Sequence, residues 1–157
     1  MKYIGIIWNP TYMYQNEIKK DIKKIGKNIK SKSLNLDNKN FIEFINELYN
    51  YPPDEKWKTD YKIKDLTKYS NKKICIVEFE ITDTKKIINK KNKLVVEKAQ
   101  KLKDMIRGKY NFTEVDGIRE ELYIENSFHL TDNEDEYEYQ KKIIEKYKKL
   151  NHVDSEI

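Results

Sequence analysis

The feature that most constrains this chain is the alternation of short apolar strands with amphipathic helices. The clearest strand is Lys73-Ile-Cys-Ile-Val-Glu-Phe-Glu-Ile81. A β-branched and aromatic run this short fits a sheet and cannot supply a helix of ordinary length. Three more strands are expected: residues 2–8, ended by Asn9-Pro10; residues 28–36; and residues 122–129. Between them fall helical stripes. Residues 13–25 carry Tyr14, Ile18, Ile22 and Ile25, with Gly26 as the stop. A helix capped by Asp37 or Asn38 runs to about residue 50 until Tyr51-Pro-Pro-Asp54 breaks it. A short helix spans 63–69, and another spans 93–106 and stops at Gly108. A last helix, capped by Thr131, Asp132 or Asn133, reaches about residue 150. Residues 109–121 read as a loop. The order β-α-β-α-(α)-β-α-β-α predicts an α+β fold, a ferredoxin-like four-stranded antiparallel sheet with helices packed on one face. Residues 1–150 form a single domain, and 151–157 are expected to be a flexible tail.

Composition narrows the function classes. The chain has 157 residues, 38% of them charged, and a formal net charge of +5; its mean hydropathy is −0.95. No run of 18 apolar residues is present, so no membrane span is expected. The apolar start Tyr3-Ile-Gly-Ile-Ile7 is too short for a signal peptide, and Cys75 is the single cysteine; both favour a cytoplasmic location. The positive charge is nearly all lysine scattered among Asp and Glu, the pattern of a solvated surface, and no Gly-Phe-x-Phe strand motif is present. Nucleic acid is therefore not the expected partner. Against this background the two arginines, Arg107 and Arg119, stand out, because a guanidinium can grip phosphate through two parallel hydrogen bonds. Arg119 reads as a loop residue, and Trp8 and Trp57 as packing residues.

His129 is the most reactive candidate. It closes the fourth strand within Asn126-Ser-Phe-His129-Leu-Thr-Asp132, and an imidazole with a free nitrogen is a nucleophile near neutral pH. The acidic stretch Asp132–Glu136 lacks the glycine and spacing of a calcium loop, and no metal-ligating set is read from the chain.

Several segments, in order, resemble the nucleoside diphosphate kinase family. Asn16-Glu-Ile-Lys-Lys-Asp-Ile-Lys-Lys-Ile-Gly26 is similar to its first helix, and Leu36-Asp-Asn-Lys-Asn-Phe-Ile-Glu-Phe44 to the start of its next. Ile63–Ser70 followed by Ile74–Phe79 resembles its short helix and third strand. Ile106-Arg-Gly-Lys-Tyr110 resembles its Ile-Arg-Gly-Asp-Phe segment, and Asn126-x-x-His129-x-Thr-Asp132 its Asn-x-x-His-Gly-Ser-Asp signature. The resemblance covers about residues 2–148. It implies a phosphotransferase in which His129 takes the γ-phosphoryl of a nucleoside triphosphate and gives it to a diphosphate, with Mg²⁺ on the phosphates. It implies nucleotide-binding roles for Arg107 as a phosphate clamp, Asn126 as a hydrogen-bond partner, Thr131 through its hydroxyl, and Asn9 at the position of the family's phosphate-binding lysine. A homo-oligomer is also implied. The chain departs from the family at Ile45 for a tyrosine, Ile63 for the base-stacking phenylalanine, Gln100 near the second phosphate arginine, Leu130 for a glycine, and Gln140 for the glutamate that orients the histidine. Through its amide oxygen, Gln140 keeps the acceptor function. These departures carry the alternative expectation: a nucleotide-binding or interaction module on the same fold, weak or inactive as a catalyst.

Overall fold

Strands β1 (Lys2–Ile7) and β3 (Lys73–Glu80) are apolar on both faces, and this decides the architecture. A strand buried on both sides needs cover on both sides. The computed structural model describes residues 1–51, 55–150 and 153–154, and in it helices cover both faces of the sheet, rather than the one face expected from the element order. Ile4, Ile6, Ile74 and Ile76 pack with Leu34, with Phe41, Phe44 and Ile45 of α2 (Asn38–Leu48), with Leu66 of α3 (Lys56–Thr67) and with Ile143, Ile144 and Tyr147 of α5 (Glu134–Leu150). On the other face Tyr3, Ile7, Cys75, Val77 and Phe79 meet Ile18 and Ile22 of α1 (Gln15–Lys23) and Ala99, Leu102 and Ile106 of α4 (Glu97–Lys109). The alternation of side chains along each strand sorts them into these two cores.

The sheet is antiparallel. Its order is β8 (Phe128–Leu130), β1, β3, β2 (Lys27–Asn35), with the backbone of β9 (Val153–Asp154) added beyond β2. The rest of the C-terminal tail, including His152, lies outside the described residues, as does the Pro52-Pro53-Asp54 break.

Several elements differ from the reading of the sequence. The first helix begins at Gln15, after a 3₁₀ turn over Asn9–Tyr14 opened by Pro10. The third begins at Lys56, seven residues earlier than the apolar stripe indicates. Residues 93–96 are not helical: β4 (Lys86–Ile88) and β5 (Leu94–Val96) form a hairpin, and α4 starts at Glu97 and runs through Gly108. Residues 109–121 are not a loop but hold the hairpin β6 (Phe112–Val115)–β7 (Ile118–Glu121). Its tip, Asp116 at φ 52° and Gly117 at φ 76°, is the pair of positive-φ positions that an Asp-Gly hairpin turn requires. Arg119, on β7, is exposed, with its guanidinium 3.9 Å from the centroid of the Phe112 ring. The fourth strand is short, because Ile124–Asn126 forms a 3₁₀ turn and only Phe128–Leu130 pairs with β1. Asn133 caps α5, its Oδ1 accepting from the Glu136 amide at 2.9 Å.

Gly5 allows β8 to lie close against β1. A Cβ there would stand 2.8 Å from Cζ of Phe128, a fully buried ring one residue from His129. Gly5→Ala is expected to destabilise the protein by about 1–3 kcal/mol, the usual cost of overpacking. In thermal unfolding that is a fall in Tm on the order of 5 °C; an unchanged Tm would show that Phe128 moves freely.

Candidate functional site

His129 is the middle residue of β8, opposite Ile6 of β1. Phe128 and Leu130 face the α1/α4 core, so His129 points the other way, toward α5 and the C-terminal end of α2. There it lines a cavity of about 890 Å³ between α3, α4, the start of α5 and the β4–β5 hairpin. This volume is in the range of small-molecule sites.

Two contacts orient the ring. Nε2 lies 2.8 Å from Oε1 of Gln140 on α5. An amide oxygen only accepts, so Nε2 carries the proton and Nδ1 keeps its lone pair. Tyr49, just after α2, meets the ring edge-on at a centroid distance of 5.5 Å, and its hydroxyl lies 3.4 Å from Nδ1, beyond an ordinary hydrogen bond. Burial pushes the His129 pKa down to about 3; the Gln140 hydrogen bond opposes this, and Lys62, Lys103 and Arg107 add to the depression. The imidazole is therefore neutral at physiological pH, the form a nucleophile needs.

This burial has a consequence for stability. The ordinary value is 6.5, so below that pH the unfolded chain takes up a proton that the folded chain refuses until about pH 3. Stability is lost as pH falls through this window, by up to about 1.4 kcal/mol per pH unit. Between pH 7 and pH 5, urea unfolding should show wild type losing about 2 kcal/mol more than His129→Gln. Equal losses would mean that the imidazole protonates in the folded state.

Cations surround the ring. Lys62 of α3 is buried; its Nζ donates to the Glu125 carbonyl at 2.6 Å and to Oδ1 of Asn126 at 3.2 Å. It also stands 5.0 Å from the Trp8 ring centroid and 5.3 Å from that of Tyr49. Arg107 of α4 donates from Nε to the Phe128 carbonyl at 2.9 Å, which anchors the guanidinium at the cavity wall. Burial pushes the Glu125 carboxyl up, but Lys91 first, with Arg107 and Lys62 adding their charges, holds it below the usual carboxylate range. Lys103, one turn earlier on α4, is buried and pairs with Asp132 at 2.7 Å, while Lys93 reaches the other oxygen of Asp132 at 3.3 Å. Burial pushes the Asp132 carboxyl up, but the two lysines outweigh it and hold the group below the usual carboxylate range.

The structure brings His129, Arg107 and Asn126 to one cavity. Asn126 is buried in its wall, accepting from Lys62 and donating to Asp65, so it positions other groups. Thr131 and Asn9 are not part of the lining. Thr131 Oγ1 accepts from the Ile4 amide at 3.1 Å and its own amide donates to the Ile4 carbonyl, closing β8 onto β1. Asn9 donates to the carbonyls of Leu66 at 2.9 Å and Asn71 at 2.7 Å, fastening α3 to the end of β1. Trp8 is fully buried, whereas Trp57 is 65% exposed at the cavity mouth, contrary to the packing role expected for it. Lys62, Lys103 and Tyr49 were not among the candidates from sequence. In a chain with 32 basic residues, nothing in their local pattern distinguishes the buried lysines.

Among the described residues no group of three histidine, cysteine or acidic side chains is placed to hold a metal ion, and no helix is long and apolar enough to cross a membrane. No protein-family model matches this chain, and no curated protein matches it.

Proposed function

We propose that the chain is a divergent nucleoside diphosphate kinase-like phosphotransferase on a ferredoxin-like sheet, acting through a phosphohistidine at His129. The observation that carries this reading is one arrangement: a neutral imidazole in the wall of a cavity also lined by Lys62, Lys103 and Arg107, its Nε2 proton held by Gln140 and its Nδ1 3.4 Å from the Tyr49 hydroxyl. The antiparallel order β8-β1-β3-β2 supports the fold part of the reading, as does the segment-by-segment resemblance to that family.

The chemistry follows from the charges. Nδ1 attacks the γ-phosphorus of a nucleoside triphosphate in line with the bridging oxygen, and the diphosphate leaves with the bond's electron pair. Charge builds on phosphate oxygens in this loose transition state, so fixed cations do most of the work. Arg107 is held by a backbone carbonyl and Lys62 by a carbonyl, an amide and two rings, so neither needs to reorganise when the phosphates arrive. Mg²⁺ bound to the nucleotide's own phosphates would supply further neutralisation. The hydrogen bond to Gln140 stabilises the charge that the ring acquires as the N–P bond forms. Reversal of the same step onto a second nucleoside diphosphate restores the free ring.

Incubation with γ-labelled ATP, GTP, CTP or UTP and Mg²⁺ tests the reading. An acid-labile, base-stable label on the protein is expected. Saturable nucleotide binding without label would favour the non-catalytic binding module instead, and would fit the absence of a cation at Asn9.

A further inference from the structure

One group at the cavity is not used by this exchange. Glu136 of α5 lies one helical turn before Gln140 on the same face, so it lines the cavity with His129. It is 5% exposed; its carboxyl accepts a backbone hydrogen bond from Asp132, while its Oε2 has no hydrogen-bond partner among the described residues. First-turn glutamates ordinarily complement the helix dipole from solvent. A buried carboxyl without a full set of partners is costly, and its presence calls for a partner that arrives with a ligand. Lys103 and Lys93 are committed to Asp132.

We infer that Glu136 is a general base, and that the phosphoryl group on His129 is passed to the hydroxyl of a ring-bearing alcohol such as a nucleoside. This rests on the phosphohistidine reading above and adds a second acceptor beside the nucleoside diphosphate. The terminal oxygen of a diphosphate is largely ionised near neutral pH and needs no base. A hydroxyl does need one, and positioned carboxylates serve this purpose in phosphoryl transfer to alcohols. In the step, the acceptor oxygen bonds to phosphorus as the Nδ1–P bond breaks. Nδ1 recovers its lone pair, and the hydroxyl proton passes to the Glu136 carboxylate. Burial, and then the Asp132 charge, raise the Glu136 pKa above the usual carboxylate range, which strengthens it as a base at neutral pH. The ring-bearing class follows from the cavity mouth, where Trp57, Tyr61 and Tyr123 are 65%, 52% and 55% exposed, flat surfaces on which a base or sugar stacks.

The test uses the full chain, labelled with γ-³²P ATP and Mg²⁺, freed of nucleotide, and chased with ADP, with the four ribonucleosides, with glycerol or with buffer alone. Wild type should pass label to a ribonucleoside as a monophosphate, faster than it releases inorganic phosphate. In E136Q the ratio of ribonucleoside transfer to ADP transfer should fall about 100-fold, the usual contribution of a general base; formation of label on E136Q shows that the variant folds. Transfer to ADP alone, release chiefly to water, or an unchanged ratio in E136Q would each overturn the inference while leaving the phosphohistidine standing. Absence of any label on wild type would overturn the phosphohistidine itself, and the acceptor with it.

Discussion

His129→Ala should reduce phosphoryl exchange between nucleotides to below about one-thousandth of the wild-type rate, the scale seen when a nucleophile is removed. Two other nucleophilic side chains among the described residues do not take its place. Cys75 is buried in the opposite core, and Tyr49 meets the ring as a neighbour, not as a substitute. Nucleotide binding should persist, because Lys62, Lys103 and Arg107 are anchored by contacts that do not involve the imidazole. Exchange rates and equilibrium binding measured on one preparation separate the two effects. A variant that keeps more than a tenth of wild-type exchange would show that the phosphoryl group never rests on His129.

Lys62→Met has the second largest expected effect. Methionine keeps the aliphatic length and packs well between the Trp8 and Tyr49 rings, so the substitution removes chiefly the charge. Loss of one preorganised group facing developing negative charge costs about 10²–10³ in rate. The Glu125 carbonyl and Asn126 Oδ1 would lose a donor, which adds about 1–3 kcal/mol of instability. The fall should lie mainly in kcat, since the charge is greatest in the transition state. A rise in KM with kcat intact would mean that Lys62 serves ground-state binding only, and an unchanged kcat/KM would remove it from the site.

The centre of the sheet was legible in the sequence because β1 and β3 are apolar beyond what any solvent-facing element tolerates, whereas the mostly polar β2 is marked only by Ile29 and Leu34. Ile74–Phe79 is a strand by run length and residue type alone, and the helical stripes at Ile18/Ile22 and Phe41/Phe44/Ile45 point to their cores. Two hairpins were missed for different reasons. Val115-Asp-Gly-Ile118 carried a turn signal, but the flanking strands alternate weakly, because β6 and β7 form an isolated ribbon with one face in water. Lys86–Ile88 and Leu94–Val96 are three residues each, too short for a period to be read, and Val95 and Val96 also fit the helical stripe that follows them.

The site was legible where chemistry is rare in the composition. A histidine and an arginine stand out in this chain, and both border the cavity, with Asn126 beside them. Asn9 and Thr131 were drawn in by their place in a motif, but a side chain that serves its own backbone occupies the same place, and local spacing does not distinguish the two. Lys62 and Lys103 were invisible for the opposite reason. A lysine matters here only because it is buried beside other groups, and burial of one lysine among so many is decided by the packing of α3 against α2 and of α4 against β8.

Transfer by this route requires that Nδ1 of His129 hold the phosphoryl group. Phosphorus NMR of the protein after incubation with nucleoside triphosphate and Mg²⁺, combined with peptide mapping under basic conditions, tests it most directly. The expected result is one phosphoramidate signal, acid-labile and base-stable, on the peptide containing His129 and bonded through Nδ1. A phosphate ester on serine, threonine or tyrosine, a phosphoramidate on a lysine, or a protein that binds nucleotide and carries no phosphorus would contradict it.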